Sequence, residues 1–185
     1  WIESGAGLGI DATDAEYTAA GARITARLDD GAELVRDVVA CPGADTCKLG
    51  VTSPRSVSRR NQAALDRLAA NPRLEGLTIK ISGCFNSCGQ HHICDLGFYG
   101  VSRHVGGHIV PHFQVVLGGK WVDNGGAYGL AIGAVPAKNI PEVVRRITDR
   151  FVSDRQGTET FYDFTTRVGK RALRAMLEGL TRVPP

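Results

Sequence analysis

The chain has 185 residues, of which 43% are apolar, so it is long enough to bury a core in one domain or two small ones. Its formal net charge of +3 is too small to favour nucleic acid as a partner. No apolar run reaches about 18 residues, so we expect no membrane-spanning helix, and the first residues lack the pattern of a signal peptide.

The cysteine content indicates a reducing compartment. Five cysteines are too few for a disulfide scaffold of this size, and their number is odd. We therefore expect a cytoplasmic protein in which paired cysteine motifs serve metal or redox chemistry. The chain begins with Trp1 rather than methionine, so we expect a processed chain or a piece of a longer one.

The first part of the chain, residues 1–34, is expected to be a linker or the N-terminal edge of a truncated unit, and residues 35–185 to be the main domain. Within the first part, apolar residues recur at roughly helical spacing. This spacing predicts a helix over residues 14–28, with an apolar side formed by Tyr17, Ala20, Ile24 and Leu28.

The main domain is predicted to alternate strands with a helix as far as its second cysteine pair. A short apolar run, residues 34–39, leads to Cys41. A helix is predicted over residues 56–70, because the proline that follows would end it. The alternating residues 77–82 predict a half-buried strand that leads directly to Cys84.

The region after the second cysteine pair is predicted to form strands broken by glycine, over residues 93–121. Three apolar side chains are expected to share its buried face: Phe113, Val115 and Leu117. Trp121 is also expected in the core.

Two helices are predicted to close the chain. Residues 141–155 place four apolar side chains at helical spacing, and Pro141 suits a first helical turn. A second helix is predicted over residues 166–180, and its buried side is expected to hold five apolar residues: Ala172, Leu173, Met176, Leu177 and Leu180. The interleaved strands and helices predict an α+β fold, with a mixed sheet and flanking helices.

Four cysteines form two closely spaced pairs, each in a turn rich in glycine, proline, asparagine or serine. Cys41 and Cys47 enclose five residues, and Cys84 and Cys88 enclose three. Four thiolates brought together can hold an iron–sulfur cubane or a structural zinc ion, whereas two can form a disulfide.

The spacing favours the iron–sulfur cluster among these three. Zinc-binding pairs usually enclose about two to four residues, which suits Cys84 and Cys88 but is not typical of Cys41 and Cys47. A disulfide between Cys41 and Cys47 would not persist in a reducing compartment. Short turns rich in glycine and proline can also direct backbone N–H groups at the sulfides of a cluster. Zinc and disulfides stay open as alternatives.

A local excess of positive charge accompanies the cysteines. Residues 48–83 carry seven lysine or arginine side chains and two acidic ones. Such a surface would suit an anionic cluster, a carboxylate-rich cofactor or an acidic electron donor. A solvated helix face explains the same charge pattern.

Two motifs give the chain a family resemblance. Residues 41–50, Cys-Pro-Gly-Ala-Asp-Thr-Cys-Lys-Leu-Gly, and residues 83–92, Gly-Cys-Phe-Asn-Ser-Cys-Gly-Gln-His-His, resemble the sirohaem-containing nitrite and sulfite reductases. Three further segments resemble the same family: residues 95–100, 114–119 and 161–169. The likeness covers residues 35–170 and implies the fold of the C-terminal, cluster-bearing half of these enzymes.

The resemblance also implies cofactors and the residues that hold them. Carried over by position, four thiolates bind a 4Fe–4S cluster: Cys41, Cys47, Cys84 and Cys88. The thiolate of Cys88 is also expected to bridge to the iron of sirohaem. Three loop residues are expected near the cofactors: Lys48, Asn86 and Gln90. The resemblance identifies no catalytic side chain.

The implied activity is the six-electron reduction of nitrite to ammonia or of sulfite to sulfide. A ferredoxin or a flavoprotein is expected to supply the electrons to the cluster, one at a time. Members of the family contain two related halves and are much longer than this chain. We therefore expect the missing N-terminal half as a partner, and no normal activity from this chain alone.

Two departures from the family pattern lie near the second cysteine pair. Phe85 stands where proline is frequent, and Cys94 stands where a small residue is usual. We expect Cys94 to be buried and not to be a ligand. Three other functions stay open: a non-catalytic iron–sulfur electron-transfer module, a structural zinc-binding domain, and a cobalamin-pathway synthase that resembles these reductases.

Five histidines follow the cysteines. His91 or His92 is a candidate proton donor near the haem, because histidine titrates near neutral pH. His104, His108 and His112 recur every four residues. The glycines and the proline among them argue against a helix that would align three metal ligands, so we expect ordinary sheet or loop residues.

Overall fold

The computed structural model describes residues 10–11, 15–18, 21–24, 27–28, 38–60, 71–74, 76–122 and 125–183. The chain divides into two compact units, Trp1–Arg36 and Asp37–Pro185. Among the described residues, no helix combines the length and the apolar character that crossing a bilayer requires.

The first unit contains short antiparallel strands. Strand β1 (Ile10–Asp11) pairs with β4 (Arg27–Leu28), and β2 (Ala15–Thr18) pairs with β3 (Gly21–Ile24). The helix predicted over residues 14–28 is therefore wrong. Two residues separate β2 from β3, a length that suits a tight hairpin, and β-branched and aromatic residues in this segment favour strands.

The second unit is built on a mixed sheet of five strands in the order β11-β8-β7-β6-β5. Their bounds are β5 (Val38–Ala40), β6 (Ile79–Ser82), β7 (Leu96–Val105), β8 (His108–Leu117) and β11 (Leu130–Pro136). Strands β5, β6 and β7 run parallel to one another, whereas β8 is antiparallel to both β7 and β11. Between β8 and β11 the chain forms a ribbon of β9 (Lys120–Val122) and β10 (Gly125–Ala127).

Among the described residues, three helices pack against this sheet: α1 (Pro54–Arg60), α2 (Ile140–Asp154) and α3 (Phe161–Ala175). The mixed sheet with flanking helices confirms the predicted α+β fold. Helix α2 confirms the prediction over residues 141–155, and it buries Val143, Val144, Ile147 and Phe151. The helix predicted over residues 56–70 begins as expected, but residues 61–70 lie outside the described residues.

Helix α3 begins five residues earlier than predicted, because its N-terminus carries a capping box. The Thr160 side chain accepts a hydrogen bond from the Asp163 N–H, 3.2 Å away, and the Asp163 carboxylate accepts one from the Thr160 N–H at 3.4 Å. Gly169, with φ of 78°, then interrupts the helical backbone. The interruption shifts the helical phase, so Ala172 is exposed, contrary to prediction, while Leu173 is buried.

Replacing Thr160 by alanine is expected to lower the free energy of unfolding of the chain by about 1 kcal/mol. The loss arises because the first turn of α3 loses an acceptor for a backbone N–H group. Urea unfolding of the variant and of the parent chain measures the difference. Thr158→Ala, at an exposed position of the same loop, is the matched control, and equal losses in both variants would contradict the role of the cap.

The core lies between the sheet and the helices. Phe113, Val115 and Leu117 are fully buried in it, which confirms their predicted shared face. Trp121 does not join them, because it lies on the β9–β10 ribbon rather than on the sheet. Its side chain is 73% exposed, so its prediction as a core residue is wrong.

The opposite face of the sheet contacts the segment that joins β6 to β7, residues 83–95. Gly97 points to this face, because its neighbours Leu96 and Phe98 are both buried in the core. A Cβ atom at Gly97 would lie 1.7 Å from the carbonyl oxygen of His91. The connecting segment therefore lies directly on the backbone of β7.

Candidate metal centre

The two cysteine pairs follow two neighbouring parallel strands. Cys41 comes directly after β5, and Cys84 lies two residues after the end of β6. The carboxyl ends of parallel strands meet at the same edge of a sheet, so both turns start at one edge. The Cys41 N–H donates to the Ile81 carbonyl oxygen at 3.0 Å and extends the pairing into the first turn.

The first turn is compact and depends on glycine. It contains a short 3₁₀ helix (Gly43–Asp45), and the Cys47 N–H donates to the Gly43 carbonyl oxygen at 2.8 Å. Gly43 has φ of 56°, and a Cβ atom there would lie 2.5 Å from the Thr52 carbonyl oxygen. Any other residue type would be strained at this positive φ, and its Cβ atom would displace the turn.

Gly83 joins the two turns. Its N–H lies 3.1 Å from the sulfur of Cys41, toward which it donates. Its carbonyl oxygen accepts from the N–H groups of Val51 and Thr52 and from the Thr52 hydroxyl, all within 3.2 Å. A Cβ atom at Gly83 would lie 2.6 Å from the Cα of Gly43, so the two turns are in direct backbone contact.

The turn around Cys88 has an unusual backbone. Ser87 and Gln90 have φ of 60° and 58°, a left-handed conformation that few residues other than glycine adopt. The Gln90 N–H donates to the Ser87 carbonyl oxygen at 2.7 Å, which closes the turn. Such conformations cost free energy and persist where surrounding contacts hold them, often at functional sites.

The four cysteines of the two pairs differ in exposure. Cys84 is buried, Cys41 is half-buried, and Cys47 and Cys88 are exposed. Phe85 is 77% exposed beside Cys84, and Leu49 is 69% exposed after Cys47, so apolar side chains border both turns. None of the five cysteines, all of them within the described residues, forms a disulfide in this structure.

The thiols do not converge on one point. The part of the chain that the structure describes holds no group of three or more cysteine, histidine, aspartate or glutamate side chains arranged around a single metal ion. A cubane does not require its ligands to surround one metal ion, because each thiolate binds a separate iron at a separate corner. Soft sulfur donors in two turns that are in backbone contact, with a backbone N–H directed at one of them, are the kind of donors that suit such a cluster.

The three predicted loop residues lie on the exposed surface of the two turns. Lys48 directly follows Cys47, and Asn86 lies between Cys84 and Cys88. Gln90 follows Cys88 by two residues, and its side-chain oxygen accepts from the Lys80 ammonium group at 3.3 Å. Whether they contact a cofactor stays a prediction.

The structure distinguishes the histidines after Cys88 by their burial and their place in the fold, and the prediction of a proton donor is left with His92. His91 is buried, and its burial, with a smaller contribution from the neighbouring His92, lowers its pKa from 6.5 to about 4. A lowered pKa keeps the ring neutral at pH 7, which argues against His91 as a cationic proton donor. His104 and His108 lie exposed on β7 and β8, and His112 is buried on β8, as expected for sheet residues.

Several residues of the site carried no signal in the sequence. Thr52 and Ser82 are buried polar residues whose hydroxyl groups bond to the two turns. Serine and threonine are common everywhere, so only their position just before or after a cysteine motif could have pointed to them.

Cys94 is buried and its thiol donates to the His91 carbonyl oxygen at 3.4 Å, which confirms its predicted burial.

Comparisons with known proteins identify relatives of this chain. The sequence profile described as "Nitrite and sulphite reductase 4Fe-4S domain" matches residues 31–182. An assimilatory ferredoxin-dependent nitrite reductase of Haloferax mediterranei is 26% identical over 144 residues, which are 77% of this chain and 25% of that protein. A sulfite reductase (ferredoxin) of Mycobacterium tuberculosis is 32% identical over 144 residues, which are 75% of this chain and 26% of that protein.

A solved structure, that of the NirA protein of Mycobacterium tuberculosis, matches with a TM-score of 0.67 and 30% identity. The match covers 79% of this chain and 29% of that chain. The predicted α+β fold is thereby confirmed by an experimental relative. The chain spans about a quarter of the length of the curated relatives it matches.

Proposed function

The chain belongs to the family of nitrite and sulphite reductase 4Fe-4S domains, and we propose that it is the cluster-bearing part of a reductase that converts nitrite to ammonia or sulfite to sulfide. One observation carries the proposal: within the matched region, two cysteine turns follow neighbouring parallel strands and are joined through Gly83. Relatives named for nitrite and for sulfite match this chain to similar extents, so both anions are proposed as substrates.

The proposed ligands of the 4Fe–4S cluster are the four thiolates of the two turns: Cys41, Cys47, Cys84 and Cys88. Both turns start at the same edge of the sheet, which supports their acting together. The Gly83 N–H, directed at the Cys41 sulfur, would stabilise the extra negative charge of the reduced cluster. This hydrogen bond would therefore raise the reduction potential.

Cys88 is proposed to bridge the cluster to sirohaem. Its exposed side chain supports this role, since a bridging sulfur must be reachable from outside the turn, whereas Cys84 is buried. Sirohaem, when bound, supplies the iron at which the anion is reduced. The proposed contribution of the chain is to hold that sulfur in place and to border the cofactor with Lys48, Asn86 and Gln90.

The proposed electron donor is a ferredoxin, with a flavoprotein as the other possibility. Two of the relatives are named for ferredoxin. Helix α1, which starts two residues after Thr52, exposes Arg55, Arg59 and Arg60 and contains no acidic residue. A basic surface of this kind favours association with an acidic electron carrier.

We further propose that this domain works in the cytoplasm together with other parts of a longer polypeptide. The relatives are about four times as long as the region they share with this chain. The basic side chains that bind the substrate anion are proposed to come from the N-terminal half of such an enzyme. On this proposal, the isolated chain reduces neither anion at a normal rate.

Metal analysis tests the proposal directly. The 185-residue chain, reconstituted with iron and sulfide without oxygen, is expected to hold about four irons and four acid-labile sulfides. Parallel zinc analysis and a visible spectrum complete the measurement. Stoichiometric zinc without sulfide would contradict the proposal and favour a structural zinc domain. A longer protein that contains this domain and shows a cluster but no haem absorption would instead favour an electron-transfer module.

A further inference from the structure

Two serines and two consecutive histidines hold the main chain on both sides of Cys88. Ser82 lies at the end of β6, and Ser87 directly precedes Cys88. The Nδ1 atom of His91 lies 2.9 Å from the Ser82 hydroxyl, and the Nδ1 atom of His92 forms a short hydrogen bond with the Ser87 hydroxyl. These four side chains are called the Ser–His clamp below.

The first pair of the clamp connects the two ends of the second cysteine turn. The Ser82 hydroxyl accepts from the Gly89 N–H at 3.1 Å, so a residue before Cys84 holds the residue after Cys88. Ser82 is 1% exposed and His91 is 5% exposed. Buried polar groups need partners, and the hydroxyl can accept from Gly89 while it donates to the neutral imidazole.

The second pair of the clamp acts on the residue before Cys88. Ser87 has φ of 60°, and its hydroxyl bonds to the His92 ring, which fixes this unfavourable conformation. The His92 ring meets the Tyr128 ring edge to face at 4.6 Å, and the His92 carbonyl oxygen accepts from the Gly129 N–H at 2.8 Å. The loop before β11 therefore supports this side of the turn.

The sheet supports the other histidine. The His91 ring lies 4.6 Å from the ring of Tyr99 on β7, and its carbonyl oxygen contacts the backbone at Gly97. The residues before and after Cys88 are therefore tied through separate histidines to separate parts of the fold. Cys47, in the first turn, has no comparable pair of Ser–His hydrogen bonds among the described residues.

We propose that Ser82, Ser87, His91 and His92 are positioning residues that hold the Cys88 sulfur at a fixed place relative to the sheet. Without the clamp, the turn would leave this conformation more often, and the exposed Cys88 sulfur would be open to a reagent from more directions than the fixed turn allows. The consequence for metal retention rests on the proposed function, because it requires Cys88 to be a cluster ligand. The consequence for the thiol itself does not.

The first test measures thiol reactivity in the metal-free 185-residue chain. Iodoacetamide alkylation of Cys88 is followed by mass spectrometry, with Cys47 as the internal reference because its side chain is also exposed. Four variants each remove one partner of the clamp: Ser82→Ala, Ser87→Gly, His91→Phe and His92→Phe. The phenylalanine variants keep a ring against Tyr99 or Tyr128, and glycine at position 87 accepts the positive φ without strain.

Each variant is expected to raise the alkylation rate of Cys88 relative to Cys47 by about three- to tenfold, which corresponds to the loss of one net hydrogen bond. Ser82→Thr keeps the hydroxyl and is expected to keep the ratio of the Cys88 and Cys47 alkylation rates at its value in the parent chain. Ser102→Ala, at an exposed serine of β7, is the control and should leave it unchanged. General destabilisation would accelerate the alkylation of both thiols. A rise in the alkylation rate that is confined to Cys88 therefore supports the clamp. An unchanged ratio of the two rates in Ser87→Gly and His92→Phe overturns it.

The second test measures iron release to a chelator from the reconstituted chain. The same variants are expected to release iron about three- to tenfold faster than the parent. If the parent chain takes up no iron and sulfide, the proposed function fails while the alkylation ratio still decides on the clamp. If the parent loads and neither the iron release nor the alkylation ratio changes in the variants, the clamp is wrong and the cluster assignment stands.

Discussion

Replacing Cys84 by serine is expected to lower the iron and sulfide content of the reconstituted chain about tenfold or more. A hydroxyl is a much poorer ligand for iron than a thiolate, and even changing a residue that only hydrogen-bonds to a metal ligand costs about 10- to 100-fold in affinity. Cys84 is buried where β6 leads into the second turn, and serine is close to it in size, so the fold should persist. Anaerobic iron and sulfide analysis, with circular dichroism for folding, measures the effect.

The matched control is Cys94→Ser, which changes another buried cysteine in the same connecting segment. Cys94 follows the His91–His92 pair in the sequence and its thiol donates to the His91 carbonyl oxygen, so we expect this variant to load iron as the parent does. Serine at Cys41, Cys47 or Cys88 should behave like serine at Cys84. Equal losses from Cys94→Ser and Cys84→Ser would show that the ligand assignment is wrong.

Replacing Gly97 by alanine is expected to lower the free energy of unfolding by about 3 kcal/mol or more. The new Cβ atom would lie 1.7 Å from the His91 carbonyl oxygen and 2.8 Å from the His91 carbonyl carbon. Both atoms are backbone, so no rotation of a side chain relieves the overlap. The segment that carries Cys88 must move off the sheet, and urea unfolding should show the loss.

Gly133→Ala is the control for this change. Gly133 is also in a strand of the sheet, but a Cβ atom there meets only the end of the Leu177 side chain, at 3.3 Å. We expect a change of less than about 1 kcal/mol in this variant. If Gly97→Ala were as mild as Gly133→Ala, the connecting segment would not lie on β7 as described.

The parts of the fold that followed strong local patterns were predictable from the sequence. The alternation before Cys84 predicted β6, and the helical spacing of Val143, Val144 and Ile147 predicted α2. In both cases one face of the strand or helix packs in the core, so the spacing of its apolar residues indicates which face is buried.

Elements controlled by single polar residues or by backbone conformation were not predictable in the same way. The start of α3 is determined by the exchange of hydrogen bonds between Thr160 and Asp163, and its register changes at Gly169. The weak apolar spacing before residue 28 fitted a helix as well as a strand, and the hairpin pairing of β2 with β3 is a contact between segments.

The candidate site was likewise only partly predictable from the sequence. Its cysteines were evident, and their positions after predicted strands suggested two turns. The two turns meet because β5 pairs in parallel with β6. A prediction of strands and helices from the sequence does not say which strands pair. The left-handed backbone of Ser87 and Gln90 had no sequence signal, because neither residue is the glycine or asparagine usually found there.

The parallel pairing of β5 and β6 also has a consequence for how the protein is made. Parallel neighbours cannot be joined by a short hairpin, and here a long crossover with α1 separates the first turn from the second. Closing that crossover is a non-local step, which is slow relative to local structure formation. The Cys41 and Cys84 turns thus come together only after the crossover has closed. We therefore expect a cluster at the proposed metal centre to be bound only after the sheet has formed, because the two turns that carry the proposed ligands meet only then.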